Sequence, residues 1–277
     1  MSVGKLVLVG TPIGNLDDMS GRAVQALKDA DVIACEDTRR TRKLLTHFGI
    51  KALDLVVYND VNEHAQATAL AERALAGATV ALVSDAGMPG IADPGYRVVV
   101  ECVAAGVLVD VVPGPSAAIA ALSISGLPTD RFVFEGFLPR KRSHRVDRID
   151  VLATEERTLV LYESPHRLEA ALEDLAARLG PRRAALAREL TKLYGEVRRG
   201  TIEELLDDVR ERGARGEIVI VVEGAPARTE RPTPAELAES ARRLMDTGLD
   251  RKDAMSEVAR AAGVPRRDVF DALIDEE

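Results

Sequence analysis

A chain of 277 residues, 46% hydrophobic and 30% charged and without tryptophan, has room for two ordinary globular domains, and its net charge of −8 argues against a surface coated in basic residues for nucleic acid. Cys35 and Cys102 both sit in apolar runs, which suggests neither a disulfide framework nor a zinc site and points to a reducing cytoplasm. No apolar run reaches the roughly 20 residues that span a bilayer, so no membrane association is expected.

Short apolar, β-branched runs then alternate with Ala/Leu-rich amphipathic stretches, the pattern of βα units around a mainly parallel sheet. Strands are expected at Lys5–Val9, Val32–Cys35, Leu55–Tyr58, Val80–Ser84 and Val107–Val112. Helices are expected between them at Gly21–Ala30, Thr38–Phe48, Val61–Ala76 and Gly95–Ala105, and after Ser116. Further on, the spacing predicts strands at Phe132–Phe134, Thr158–Tyr162, Ala184–Arg188 and Glu217–Val222, with helices at Arg145–Ala153, Pro165–Leu179 and Ile202–Arg212. Gly195–Gly200 carries a turn into a hairpin. The fold class is therefore α/β, with one α/β domain over residues 1–118 and a second over 119–224. A linker rich in Pro, Thr and charge covers 225–233.

Residues 234–277 read as helices at Pro234–Met245, Arg251–Ala262 and Arg266–Ile274, separated by Gly248 and by Gly263-Val264-Pro265. That is either a helix-turn-helix-like unit or a helical tail packed on the body or on a partner subunit. The segment is slightly acidic and lacks the footprint of a strong nucleic-acid binder.

Three strand ends share one construction, an apolar run ending in a Gly/Pro turn that opens a helix. They are Val9–Asn15 (VGTPIGN), Val83–Gly95 (VSDAGMPGIADPG) and Val112–Ala118 (VPGPSAA). In an open α/β sheet ligands bind beyond the carboxyl ends of the strands, where glycine lets backbone approach a ligand. Ser116 is placed to cap its helix while free N–H groups face an anionic ligand group. None of the loops is G-x-G-x-x-G or G-x-x-x-x-G-K-[ST], which disfavours a conventional dinucleotide or nucleoside triphosphate site.

These loops belong to a longer series of motifs: GTPIGNLDD (10–18), ACEDTRRTRKLL (34–45), VSDAGMPGIADPG (83–95), VPGPSA (112–117), FEGFLPRK (134–141), LYESPHR (161–167), ARELTKLYGE (187–196) and GEIVIVVEG (216–224). In that order they resemble the tetrapyrrole-methylase-like class of S-adenosylmethionine methyltransferases. Within it they resemble the branch that methylates the ribose 2′-oxygen of a cytidine in the decoding region of 16S rRNA. The resemblance implies two α/β domains with S-adenosylmethionine in the cleft between them. Carried over by motif, Pro12 borders the site and Asp85, Ala86, Gly87 and Met88 hold the methionine part. Ser116 and Ala117 contact the cofactor from the third loop, and Tyr162, Glu163 and Leu190 from the second domain. A homodimer acting on 16S rRNA, within the small ribosomal subunit, is also implied. Rival expectations are a tetrapyrrole or diphthamide-precursor methyltransferase of the same fold, and a non-catalytic RNA-binding assembly factor.

A ribose hydroxyl is a poor nucleophile, so a group that takes its proton is expected. Glu36, Asp37 and Lys192 are the candidate catalytic residues, with Glu163 and Glu189 also in reach of the motifs. Glu36 and Asp37 could instead pair with Arg39 and Arg40, and Glu189 with Lys192 could only brace the structure. Two basic runs, Arg39, Arg40 and Arg42, and Arg140, Lys141, Arg142 and Arg145, could contact RNA phosphates or form solvated helix faces. His144 and His166 stand apart from any metal-ligand spacing, and no metal is expected.

Overall fold

A computed structural model describes residues 4–192, 194–226 and 232–275. Residues 1–225 form one compact unit and residues 226–277 a second.

The first unit opens with alternating strands and helices: β1 (Lys5–Val9), α1 (Gly21–Lys28), β2 (Val32–Cys35), α2 (Thr38–His47), β3 (Leu55–Val57), α3 (Glu63–Leu75), β4 (Thr79–Leu82), α4 (Tyr96–Ala104) and β5 (Leu108–Val112). The strands form a parallel sheet in the order β3-β2-β4-β1-β5. Both faces are covered. Leu6, Leu70, Leu82, Val98 and Cys102 pack on one side, and Val7, Ala23, Leu27, Ile33 and Cys35 on the other. A parallel sheet buried on both faces explains why its strands read as continuous apolar runs without alternation. The chain leaves β1 toward β2 on one side and leaves β4 toward β5 on the other, so the strand order reverses between the neighbours β1 and β4. That reversal opens a crevice at their carboxyl ends.

Helix α5 (Ala117–Ser125) then leads to a second sheet built from β6 (Phe132–Phe137), β7 (Thr158–Glu163), β8 (Arg183–Arg188), β9 (Glu196–Thr201) and β10 (Ile218–Val222). Its order is β6-β7-β10-β8-β9, and only β6 and β7 run parallel; β8 and β9 form the expected hairpin. Helices α6 (Arg142–Leu152), α7 (Pro165–Leu179) and α8 (Ile202–Arg212) contribute to its main core, among them Ile149, Leu168, Leu172, Leu175 and Leu205. Ala118, Ala121 and Leu122 of α5 pack on the opposite face against Val160, Ala185 and Val219.

Strand β6 runs three residues past its expected end because the register shifts between Phe134 and Gly136. The extra residue is a β-bulge, and it changes the facing period from two to three. Phe134 and Phe137 consequently share one face and flank Tyr162, with ring centroids 5.1 and 5.6 Å away.

The second unit is three helices, α9 (Pro234–Asp246), α10 (Arg251–Ala262) and α11 (Arg266–Asp275), around Leu237, Ala241, Met255, Val258, Val269 and Leu273. Thr233 and Glu236 form a reciprocal capping box at its start, and Asp250 caps α10. Among the described residues, no helix is long and apolar enough to cross a membrane.

Candidate active site

The three Gly/Pro loops meet above the β1/β4 crevice. The Thr11 N–H donates to the Gly87 carbonyl at 2.9 Å and the Gly87 N–H returns a bond to the Thr11 carbonyl at 3.1 Å. On the other side the Gly10 N–H donates to the Val112 carbonyl at 3.0 Å. Gly10 and Gly114 touch backbone to backbone: a Cβ on Gly10 would stand 2.6 Å from the Gly114 Cα, and one on Gly114 would stand 2.7 Å from the Gly10 Cα. Neither position has space for a side chain.

The start of α5 departs from expectation in an informative way. Ser116 occupies the N-cap position but makes no side-chain cap bond. The Tyr162 hydroxyl, from the second sheet, accepts the Ala118 N–H at 3.2 Å instead. Ser116 lines the cavity beside it, with its side chain turned to the Tyr162 hydroxyl.

That cavity, of about 290 Å³, has the β4 and β5 loops on one side and the ends of β7, β8 and β10 on the other. Asp85, Ala86, Gly87, Met88, Ser116, Ala117, Tyr162, Glu163 and Leu190 all line it. Pro12 lines an adjoining chamber of about 310 Å³ together with Lys192, Arg40 and Thr41. Asp85 and Ala86 line both chambers, so the two form one bipartite cleft. Sequence reasoning did not single out Ile91, Asp93, Phe137 or Glu217, which also line the main chamber. Asp93 lay inside the quoted VSDAGMPGIADPG motif, and its position in a Gly/Pro loop was the available signal. Phe137 depends on the β-bulge, which no periodicity announces.

Glu36 and Asp37 stand behind Asp85. The Asp85 N–H donates to Glu36 Oε1 at 3.2 Å, and the Asp37 N–H donates to Asp85 Oδ1 at 3.3 Å. Arg40 lies 3.4 Å from Asp85 Oδ2. Burial, reinforced by Asp93 and Asp85, pushes the Glu36 carboxyl up to about 7. Asp93 is raised to about 6, again chiefly by burial; the Ser84 hydroxyl opposes the shift, and Asp85 and Asp60 add to it. Asp37 goes the other way, to about 2, because its carboxylate takes the Arg39 side chain and the backbone N–H of the first turn of α2. A carboxylate so held is a helix cap and a weak base. Lys192 Nζ donates to Glu189 Oε1 at 2.9 Å, and that bond holds Glu189 below the usual carboxylate range.

Glu163 is buried, at 2% exposure. Its Oε1 accepts the Ser164 N–H at 2.7 Å, while Oε2 has no hydrogen-bond partner among the described residues and lies 3.5 Å from Arg167. An orphaned acceptor on a cavity wall calls for a ligand donor.

The basic run behaves unevenly. Arg140, Lys141 and Arg142 are exposed, although Arg142 also reaches Asp174. Arg145 is not available to RNA: it is 5% exposed and sits 2.7 Å from the buried Asp174. The α6 period turns it into the core while its neighbours face out, which corrects its assignment as a phosphate contact. Arg148 is likewise engaged, in a bidentate bond with Glu135. In the other run Arg39 is held by Asp37 and Arg40 by Asp85, and Arg42 is exposed.

Residues 5–206 match the Tetrapyrrole (Corrin/Porphyrin) Methylases family. A protein of Halalkalibacterium halodurans named ribosomal RNA small subunit methyltransferase I is 44% identical, over 96% of this chain and 93% of its own. One of the same name from Mycobacterium tuberculosis is 47% identical, over 99% and 96%. The solved structure of Thermus thermophilus uroporphyrin-III C-methyltransferase with S-adenyl homocysteine has the same fold, with a TM-score of 0.55 and 21% identity over 79% of this chain and 97% of that one. This chain belongs to the tetrapyrrole methylase family and, within it, to the family of ribosomal RNA small subunit methyltransferases I. It is a methyltransferase.

Proposed function

We propose that this chain transfers the methyl group of S-adenosylmethionine to the ribose 2′-hydroxyl of a cytidine in the decoding region of 16S rRNA, within the small ribosomal subunit. The observation that carries the reading is the bipartite cleft, in which strand-end loops of the first sheet face the second sheet around Asp93, a half-buried carboxylate of raised pKa. The relatives bearing the rRNA methyltransferase name align over nearly their whole length, including the helices beyond residue 206, where the wider family's match ends. That favours the RNA substrate over a tetrapyrrole or the diphthamide precursor.

The cleft's residues suit the cofactor. The open N–H groups at the start of α5 suit a carboxylate, and Asp85 and Asp93 suit cationic groups. Met88, Ile91, Leu190 and Val219 offer apolar wall, and Glu163 Oε2, which has an ion pair with Arg167 but no hydrogen bond among the described residues, can accept from an amino or hydroxyl group. When bound, S-adenosylmethionine supplies an electrophilic methyl group on a sulfonium. The protein's part is to align the attacking oxygen in line with that group and to exclude water. Asp93 faces the cavity and is our choice to accept the 2′-hydroxyl proton, its basicity held up by burial and by the carboxylates of Asp85, Asp60 and Glu217. Asp85 positions Glu36 through its backbone N–H. Arg42, Arg140, Lys141 and Arg142 are assigned to RNA phosphates, and the protein is assigned as a homodimer.

The test is transfer of tritiated methyl to 30S subunits lacking the modification, beside a tetrapyrrole acceptor. Label on 16S rRNA is expected. Label on the tetrapyrrole alone overturns the substrate, and absence of S-adenosylmethionine binding in calorimetry leaves only the non-catalytic reading.

A further inference from the structure

A third concavity, of about 450 Å³, lies next to the cleft, lined by Arg188, Arg198, Arg212, Arg215, Tyr194 and the Gly213–Gly216 turn. It shares Glu189 and Gly216 with the main chamber, so a single wall separates the two. That wall is stiff. Glu189 holds a left-handed φ of 50°, and its Oε1 takes both the Lys192 ammonium at 2.9 Å and the Glu217 N–H at 3.2 Å. A Cβ on Gly216 would fall 2.1 Å from that oxygen, which locks the two loops together.

The arginines differ in how they are spent. Glu196 takes Arg188 at 2.7 Å and Arg198 at 3.0 Å. Asp208 takes Arg198 at 2.5 Å and Arg212 at 3.0 Å. Two carboxylates therefore hold three guanidinium groups, and Arg215 has neither an ion pair nor a hydrogen bond among the described residues. Arg212 remains 62% exposed in its side chain and Tyr194 is 77% exposed. On a chain of net charge −8 this is a local surplus of cation with an aromatic ring standing in it. Neither Arg215 nor Tyr194 has packing or pairing that would account for it as a structural residue. Guanidinium groups beside an exposed ring are what a single-stranded nucleic acid requires: phosphates pair with the cations and a base stacks on the ring.

We propose that this groove holds the RNA strand flanking the target nucleotide, with phosphodiesters on Arg212 and Arg215 and a neighbouring base on Tyr194. The proposal rests on the chain's being an rRNA methyltransferase. Because one wall joins groove and cleft, a nucleotide splayed into the cleft leaves its neighbours at the groove. Sequence reasoning passed over these residues because they lie on different elements and form no run.

The full-length protein carrying Arg212→Ala with Arg215→Ala, Arg215→Ala alone, and Tyr194→Ala would be compared with the wild type. The measurements are 30S binding across a salt series, methyl transfer to 30S, oligomeric state and S-adenosylmethionine affinity. We expect unchanged cofactor affinity and RNA binding about 10-fold weaker in the double variant, with a salt slope shallower by about 2. Tyr194→Ala should weaken binding by about 5- to 100-fold with the salt slope kept. Arg215→Ala has no partner to orphan and serves as the variant that cannot fail through misfolding of a pair. Wild-type affinity and slope in both arginine variants would overturn the groove while leaving the rRNA reading intact. A wild-type protein that neither binds nor methylates 30S would overturn both. A change confined to the oligomeric state would give the groove to a second copy of the chain and overturn the proposal.

Discussion

The hydroxyl of Tyr162, on the second sheet, accepts the backbone N–H of Ala118 at the start of the helix that leaves the first sheet, at a distance of 3.2 Å. One hydrogen bond thus ties the two walls of the cleft and fixes the helix end that faces its interior. The Phe134 and Phe137 rings on either side hold the tyrosine in place. If the cofactor occupies this cleft as proposed, its binding depends on that contact between sheets.

Tyr162→Phe keeps the ring packing and removes only the acceptor. Loss of a helix cap costs about 1 kcal/mol, which denaturant unfolding should register. The variant should bind S-adenosylmethionine more weakly, with the KM for cofactor rising more than kcat falls. Unchanged affinity in calorimetry would show that the cap is structural only.

The two raised carboxyls give a pH dependence of defined sign. Activity should fall as pH drops through about 6, where Asp93 takes up its proton. Asp93→Asn should lower kcat by about 10²-fold or more and abolish that limb of the profile. For stability the direction reverses. Glu36 has its carboxyl raised from 4.5 to about 7, so the folded state favours the protonated form. Its favourable contribution is complete below the unfolded-state value and is lost as pH rises through about 7. Glu36→Gln should therefore flatten the decline in Tm between about pH 5 and 8, and an unaltered Tm profile would contradict the assignment.

Gly10→Ala places a Cβ 2.6 Å from the Gly114 Cα and 2.8 Å from the Met88 Sδ. The sulfur can move but the backbone cannot, so the β1 and β5 loops must separate. A destabilisation of about 1–3 kcal/mol is expected, with loss of cofactor binding beyond what the Tm change explains. Retained affinity would place the cofactor away from these loops.

The basic run of α6 divides by exposure. Neutralising Arg140, Lys141 and Arg142 together should leave Tm nearly unchanged, weaken 30S binding and flatten its salt dependence. Arg145→Met instead removes the guanidinium that meets Asp174 in the core and should cost about 3 kcal/mol. Equal effects of the two changes on RNA binding would contradict the division.

The strand-end loops were legible in the sequence because glycine, proline and their spacing report a local backbone requirement. So were the elements of the first sheet, whose continuous apolar runs follow from burial on both faces. The mixed order of the second sheet was not, since antiparallel pairing of β10 is decided by long-range contacts. Local pattern also failed at Ser116, whose expected cap was taken by a tyrosine distant in sequence. Arg145 looked like its neighbours in the basic run until the helical period of α6 placed it against Asp174. Asp93 carried no signal apart from its loop, because its raised pKa comes from burial and from carboxyls brought to it by the fold, Asp85 of its own loop and Asp60 and Glu217 from elsewhere in the chain.

The most direct test of the central claim is to map the methyl group delivered to 30S subunits from a strain lacking the gene, by nuclease digestion and mass spectrometry of the 16S rRNA. The account predicts one methylated cytidine in the decoding region, modified on the ribose and resistant to cleavage at its 3′ side by alkali. A methyl group on a base, or label appearing only on a tetrapyrrole acceptor, would contradict it.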